Sequence, residues 1–206
     1  MKLRHLFLLI VISFPLSFFA QTTREEATIP LTQKLTFYNI DTHQGLSNNI
    51  VKTIEQDSLG FIWIGTADGL NRYDGDEFKV FRRESSMLSN NYIQDISFNQ
   101  QGEVVLATDG GLNIYNQKQE QFDLLNNYNS YLTLSTNSYQ NLQDGTYAIG
   151  AYNQGVLIFK DKEQKFYFGQ GDQNTNGLSS VKISCLIKQD NKLWVGSFDG
   201  GLDKID

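Results

Sequence analysis

The chain has 206 residues, 40% of them hydrophobic, with ten Tyr, fourteen Phe and two Pro, which is enough apolar surface for a packed core. Its formal charge is −6, and removal of residues 1–20 would take away Lys2 and Arg4 but no acid, leaving −8. That balance disfavours nucleic acid and anionic membranes as partners, while leaving room for a local basic pocket.

Residues 1–20 read as a signal peptide. Lys2, Arg4 and His5 precede an apolar run from Leu6 to Phe14, and Phe18-Phe19-Ala20 follows Pro15 ahead of the polar Gln21. The run is too short for a comfortable membrane span, so cleavage after Ala20 and a periplasmic mature chain are expected. Phe18 stands where a small residue is preferred, and an uncleaved N-terminal anchor is the alternative. Without a cysteine near Ala20, lipoprotein processing is not expected. Residues 21–34 form the leader of the mature chain, and Leu35 to Ile40 read as a strand, matching Glu77-Phe78-Lys79-Val80-Phe81 further on.

From there one phrase recurs with a period a little over forty residues. Phe61-Ile62-Trp63-Ile64-Gly65-Thr66 with Gly69-Leu70 is answered by Val104-Val105-Leu106-Ala107-Thr108 with Gly111-Leu112. Tyr147-Ala148-Ile149-Gly150-Ala151 with Gly155-Val156 follows, and then Leu193-Trp194-Val195-Gly196-Ser197 with Gly201-Leu202. Gly45-Leu46-Ser47-Asn48-Asn49 opens the unit and is matched by Met87-Leu88-Ser89-Asn90-Asn91 and Gly177-Leu178-Ser179-Ser180. Short apolar runs separated by Asp-Gly and similar turns predict four antiparallel strands per repeat. The predicted fold is all-β: a β-propeller of about four such blades, spanning approximately residues 45–86, 87–128, 129–176 and 177–206 of a single 35–206 domain.

The second strands are apolar at consecutive positions, so both faces of each small sheet need cover, and neighbouring blades supply it. Trp63 and Trp194 fall at one repeat position and are expected between blades, as structural rather than ligand-stacking aromatics. The last repeat ends after its third strand. Residues 35–40 would complete it and close a four-bladed ring, but an incomplete, open arc is the favoured reading.

The search for chemistry is thin. Asp57, Asp68, Asp74, Asp109, Asp190 and Asp199 recur chiefly beside Gly or Asn in predicted turns, where backbone reasons favour Asp over paired catalytic carboxylates. No spacing matches a calcium loop, zinc site, nucleophile elbow or phosphate loop, so no catalytic residue, metal site or cofactor is expected. Asn48, Asn49, Asn90 and Asn91 lie on one rim and are the candidate ligand-binding residues, with turn capping as the alternative. Trp63, Gly65, Gly69, Gly111, Gly150, Trp194, Gly196 and Gly201 are structural repeat positions. Cys185, the one cysteine, is expected to be a small buried side chain.

Gly-Leu-Ser-Asn-Asn followed by Asp57-Ser58-Leu59-Gly60-Phe61-Ile62-Trp63-Ile64-Gly65-Thr66-Ala67-Asp68-Gly69-Leu70-Asn71-Arg72-Tyr73-Asp74 resembles the two-component regulator propeller repeat of Bacteroidetes-type hybrid histidine kinases. The first repeat matches throughout and the second and fourth match well. The third keeps Gly150 but has Ala148 for the tryptophan and Asn129-Ser130-Tyr131-Leu132 for the opening. The resemblance implies a periplasmic sensor region, in a parent that is dimeric and reaches the membrane only through a later segment. It also implies a glycan-derived ligand such as an oligosaccharide. Neither His5 nor His43 has a phosphoacceptor context, so the chain is expected to be a non-enzymatic piece truncated before the membrane helix and kinase. An exported propeller enzyme such as a lyase, and a passive interaction scaffold, are the competing readings.

Overall fold

A computed structural model describes residues 36–125, 135–160, 163–169 and 177–206, with only the backbone of 163–168. The signal peptide and leader expected over 1–34, and the third-repeat opening at 129–132, lie outside the described residues. The chain divides into two units, Met1–Tyr38 and Asn39–Asp206. Residues 36–40 form no strand, and Phe37 and Tyr38 are exposed. The strand expected there is therefore not found in its described part.

The second unit is nearly all β and consists of four antiparallel sheets, each a blade. Blade 1 holds β1 (Val51–Gln56), β2 (Ile62–Thr66), β3 (Gly69–Tyr73) and β4 (Phe78–Phe81), side by side in that order. After a single helical turn at Arg83–Ser86, blade 2 holds β5 (Ile93–Phe98), β6 (Val104–Thr108), β7 (Gly111–Asn116) and β8 (Gln121–Leu124). Blade 3 holds β9 (Thr136–Gln143), β10 (Thr146–Ala151), β11 (Gly155–Lys160) and β12 (Glu163–Phe168). Blade 4 has three strands among the described residues, β13 (Ile183–Gln189), β14 (Lys192–Ser197) and β15 (Leu202–Ile205). Weak as its sequence match is, the third repeat forms a full four-stranded blade.

A register irregularity recurs where the first strand meets the second, between Val51 and Thr53, Ile93 and Asp95, Ile183 and Cys185, and Gly150 and Ala151. Bulges at this position raise local twist, which bends each blade the same way.

Three apolar layers join the blades. Between blades 1 and 2, Trp63 and Leu70 pack with Ile93, Ile96, Val104 and Leu106. The Trp63 ring lies 5.9 Å from Phe81 and edge-on to Tyr115 at 5.2 Å. Val105, Ala107 and Leu112 face Tyr139, Ile149 and Ala151 across the next junction, and Ala148 and Val156 face Ile183, Leu186 and Val195 across the third. Large side chains buried this fully each favour the folded state by roughly 1.5–3 kcal/mol.

The glycine after the second-strand tryptophan is explained by close approach. A Cβ on Gly65 would sit 2.7 Å from Ile93 Cγ2, and one on Gly150 would sit 2.6 Å from Ile183 Cγ2. Backbone bonds reinforce the junctions: the Gly69 N–H donates to Asn91 O at 2.7 Å and the Gly155 N–H to Val181 O at 2.9 Å.

The tryptophan expectation holds at one site and fails at the other. Trp63 is 1% exposed between blades, while Trp194, on the outward face of blade 4, is only part-buried and donates from Nε1 to Gln189 at 3.1 Å. Cys185, expected to be buried, is exposed because it lies on that same uncovered face, opposite Gly196.

Candidate ligand-binding site

The first strands of successive blades pack on one another, β1 on β5, β5 on β9 and β9 on β13, so they line the inner side of the arc. The turns between second and third strands cluster at one end of it. There Lys52, Tyr92, Gln94, Asp109, Ser135, Asn137, Tyr152 and Phe198, drawn from all four blades, surround a cavity of about 400 Å³.

Its polar groups are held in place by one another. Asp109 Oδ1 accepts from Gln94 Nε2 at 2.9 Å and from Ser135 Oγ at 2.8 Å. Asn137 donates to Ile183 O at 2.7 Å, linking blades 3 and 4. Lys52 Nζ lies 5.4 Å from the centre of the Tyr92 ring. Tyr152 and Phe198 meet edge-to-face at 5.8 Å yet remain 43% and 63% exposed. Beside Phe198, Asp199 accepts from Lys182 at 2.7 Å and from Ser180 at 2.5 Å. Those bonds, the lysine's first, hold the Asp199 carboxyl below the usual range, and Asp199 in turn raises Lys182.

Exposed aromatic faces beside fixed amide, hydroxyl and carboxylate groups suit a ligand that has both C–H faces and hydroxyls. Among the described residues that line the cavity, Asp109 is the one carboxylate. His43 lies elsewhere, in an exposed 3-10 turn (Thr42–Gln44), 2.9 Å from Asp41. Among the described residues no cluster of three metal-ligating side chains occurs.

Other cavities lie between blades on the opposite rim. Blades 1 and 2 enclose one of about 260 Å³, blades 2 and 3 one of about 210 Å³, and blades 3 and 4 one of about 320 Å³. They recur at one repeat position, as a consequence of splayed neighbouring sheets. Of these four cavities, the inner one gathers side chains from all four blades.

The four asparagines singled out from sequence are occupied in turns. Asn48 Oδ1 accepts from Ile50 N and Asn90 Oδ1 from Tyr92 N, both at 2.8 Å, and Ser180 Oγ does the same for Lys182 N at 3.0 Å. Asn49 Oδ1 accepts from Thr42 N at 3.0 Å and Asn91 Oδ1 from Arg83 N at 2.7 Å. None of them lines the inner cavity. The recurrent aspartates also include turn caps. Asp57 accepts from Leu59 N, Phe61 N and Trp63 Nε1. Asp74 accepts from Asp76 N and Glu77 N, and these bonds, Glu77's first, lower its carboxyl.

One repeat element had escaped sequence reasoning. Buried Asn71 accepts from Ser47 N at 2.8 Å and donates to Ser47 Oγ at 2.9 Å, while Ser47 Oγ also meets Thr66 Oγ1 at 2.8 Å. Asn113, Ser89 and Thr108 repeat the arrangement, and Asp203 takes both the N–H and hydroxyl of Ser179. The Leu-Ser opening is thus clamped to the third strand. The Asn, Asn, Asp series two residues after Gly69, Gly111 and Gly201 was its visible signal.

Comparison with known proteins places this geometry. The sequence pattern of the two component regulator propeller family matches residues 45–68. Over 38 residues, 18% of the chain, it is 55% identical to histidine kinase P4 of Formosa agariphila, of which that stretch is 3%. The extracellular domain of the putative hybrid two component system BT3049 from B. thetaiotaomicron superposes over 82% of the chain with a TM-score of 0.69 and 25% identity. That of the putative one component system BT4673 from the same organism superposes over 81% with a TM-score of 0.67 and 24% identity. The chain spans 25% of each of these domains. Virginiamycin B lyase from Staphylococcus aureus, at 12% identity and a TM-score of 0.51 over 76% of the chain and 55% of the lyase, shares the fold alone.

Proposed function

We propose that this chain, which carries the two-component regulator propeller repeat at residues 45–68, forms part of the extracytoplasmic ligand-sensing propeller of a two-component signalling protein and takes a glycan-derived ligand at its inner cavity. The observation that carries the reading is the convergence of Tyr92, Tyr152 and Phe198 with Gln94, Asp109, Ser135 and Asn137 from four blades at one opening. The likeness to the extracellular domains of Bacteroides signalling systems supports an exported location. The ligand acts by binding one arrangement of the sensor better than another, and the propeller performs no chemistry on it.

Phe198 and Tyr152 are exposed enough to be removed without disturbing the core. Titration with a panel of neutral and uronate-containing oligosaccharides, read by calorimetry, should find a binder whose affinity falls about tenfold in Phe198→Ala and in Tyr152→Ala, a loss of about 1.4 kcal/mol. Binding untouched by both changes would move the site elsewhere. Turnover of a saccharide that stops in Asp109→Asn would replace the sensor reading with an enzymatic one.

A further inference from the structure

The walls of the inner cavity leave one charge unmatched. Of the two lysines in its neighbourhood, Lys182 is taken up by Asp199 at 2.7 Å. Lys52, on the blade 1 wall, makes no ion pair among the described residues. Its Nζ instead lies over the Tyr92 ring of blade 2, 5.4 Å from the centre, inside the junction of blades 1 and 2. Asp109, the carboxylate of the cavity, is engaged on the blade 3 side, where its Oδ1 takes Ser135 Oγ at 2.8 Å as well as Gln94 Nε2. Asn137, also of blade 3, is 7% exposed and spends its Nδ2 on Ile183 O, while its Oδ1 accepts from nothing among the described residues.

We propose that the saccharide bound here, on the reading of this cavity as a ligand site, is an acidic one whose carboxylate or sulfate ester meets the Lys52 ammonium while its hydroxyls meet Asn137 Oδ1 and Asp109. A lysine ammonium is a compact point charge with three donors, so it accepts a carboxylate or sulfate oxygen without demanding a bidentate geometry. The Tyr92 ring holds that charge at the opening. The formal charge of −6 repels an acid at long range, but salt screens that field beyond about 8–10 Å, so the nearest charge decides. Asp109 repels an acidic group from the blade 3 side and accepts hydroxyls there. The two charges thereby fix which way round the ligand lies.

Calorimetry on the full chain with two matched pairs tests this: tetragalacturonate beside its methyl ester, and a sulfated galactan tetrasaccharide beside its desulfated form. In one pair the acidic member should bind about tenfold more tightly than its neutral counterpart, and the preference should shrink as salt is raised. The pair that shows it identifies carboxylate or sulfate as the group read. Lys52 is exposed, so Lys52→Met leaves the core intact. That variant should lose the preference by weakening the acidic member about tenfold and sparing the neutral one, whereas Phe198→Ala should weaken both alike. Equal affinity within both pairs, or a preference that survives Lys52→Met, would overturn the proposal, and the cavity would stand as a site for neutral saccharides if Phe198→Ala still weakened binding. Binding that neither change moves, or binding of no saccharide at all, would overturn the ligand site along with it.

Discussion

Trp63 and Trp194 occupy one repeat position and precede the same glycine two residues on, yet only Trp63 is sealed. The difference is the neighbour: blade 2 covers the face that carries Trp63, and no described residue covers the face that carries Trp194. In a repeat protein the burial of a residue depends on its position in the array as much as on its own pattern. Cys185, Ile187 and Leu202 follow the same rule on blade 4, as do Val51 and Ile54 on blade 1.

The largest effect should come from the tryptophans themselves. Trp63→Ala removes a buried side chain that contacts Phe81 and Tyr115 and should cost about 3–5 kcal/mol in a denaturant melt. Trp194→Ala should cost markedly less at concentrations where the chain is monomeric. Equal losses would break the comparison.

Adding a methyl group sharpens it. Gly65→Ala forces a carbon against Ile93 and Thr53 within a closed junction and should cost about 1–3 kcal/mol. At Gly196 the nearest atom is Cys185 Sγ, on an exposed side chain that can turn away, so Gly196→Ala should be milder in the same melt.

The serine clamp offers a polar version. Asn71→Ala leaves the part-buried Ser47 N–H without its acceptor, while the Ser47 hydroxyl keeps Thr66, and should cost about 1–3 kcal/mol. Asp203→Ala breaks the equivalent bonds of Ser179 where they are exposed, and thermal unfolding should show a smaller loss.

A subtler effect comes from the junction of blades 2 and 3, where Asp95 accepts from Ser138 Oγ at 3.2 Å and Tyr139 N at 3.3 Å. Burial pushes its carboxyl up to about 6, with Glu55 adding repulsion. The unfolded chain ionises this group near about pH 4, so between that pH and about 6 the folded state binds the extra proton. Its contribution to stability is therefore greatest below about pH 4 and falls as pH rises through about 6. Melting temperatures across that window should slope downward in the wild type and lose part of the slope in Asp95→Asn.

Much of the architecture was legible because the repeat states its grammar locally. Turn residues such as Asp57 and Gly69 and the apolar second strands mark the blades, and the glycine after the tryptophan marks the close approach. Burial at the ends was not legible, since Trp194 and Cys185 look internal to anyone reading their own repeat. The cavity was harder still: Tyr92, Asp109, Asn137, Tyr152 and Phe198 share no motif, and only the curvature of the arc brings them together. Asn48 and Asn90 stood out through repetition, and what repeats here is turn capping, whereas the cavity is built from positions that differ between blades.

The most direct test of this account, in which a neighbouring blade decides what each face buries, is acrylamide quenching of the single-tryptophan variants Trp63→Phe and Trp194→Phe, measured where the chain is monomeric. Emission from Trp63 should be blue-shifted and nearly unquenched, while emission from Trp194 should be red-shifted and readily quenched. Similar quenching of both would contradict it.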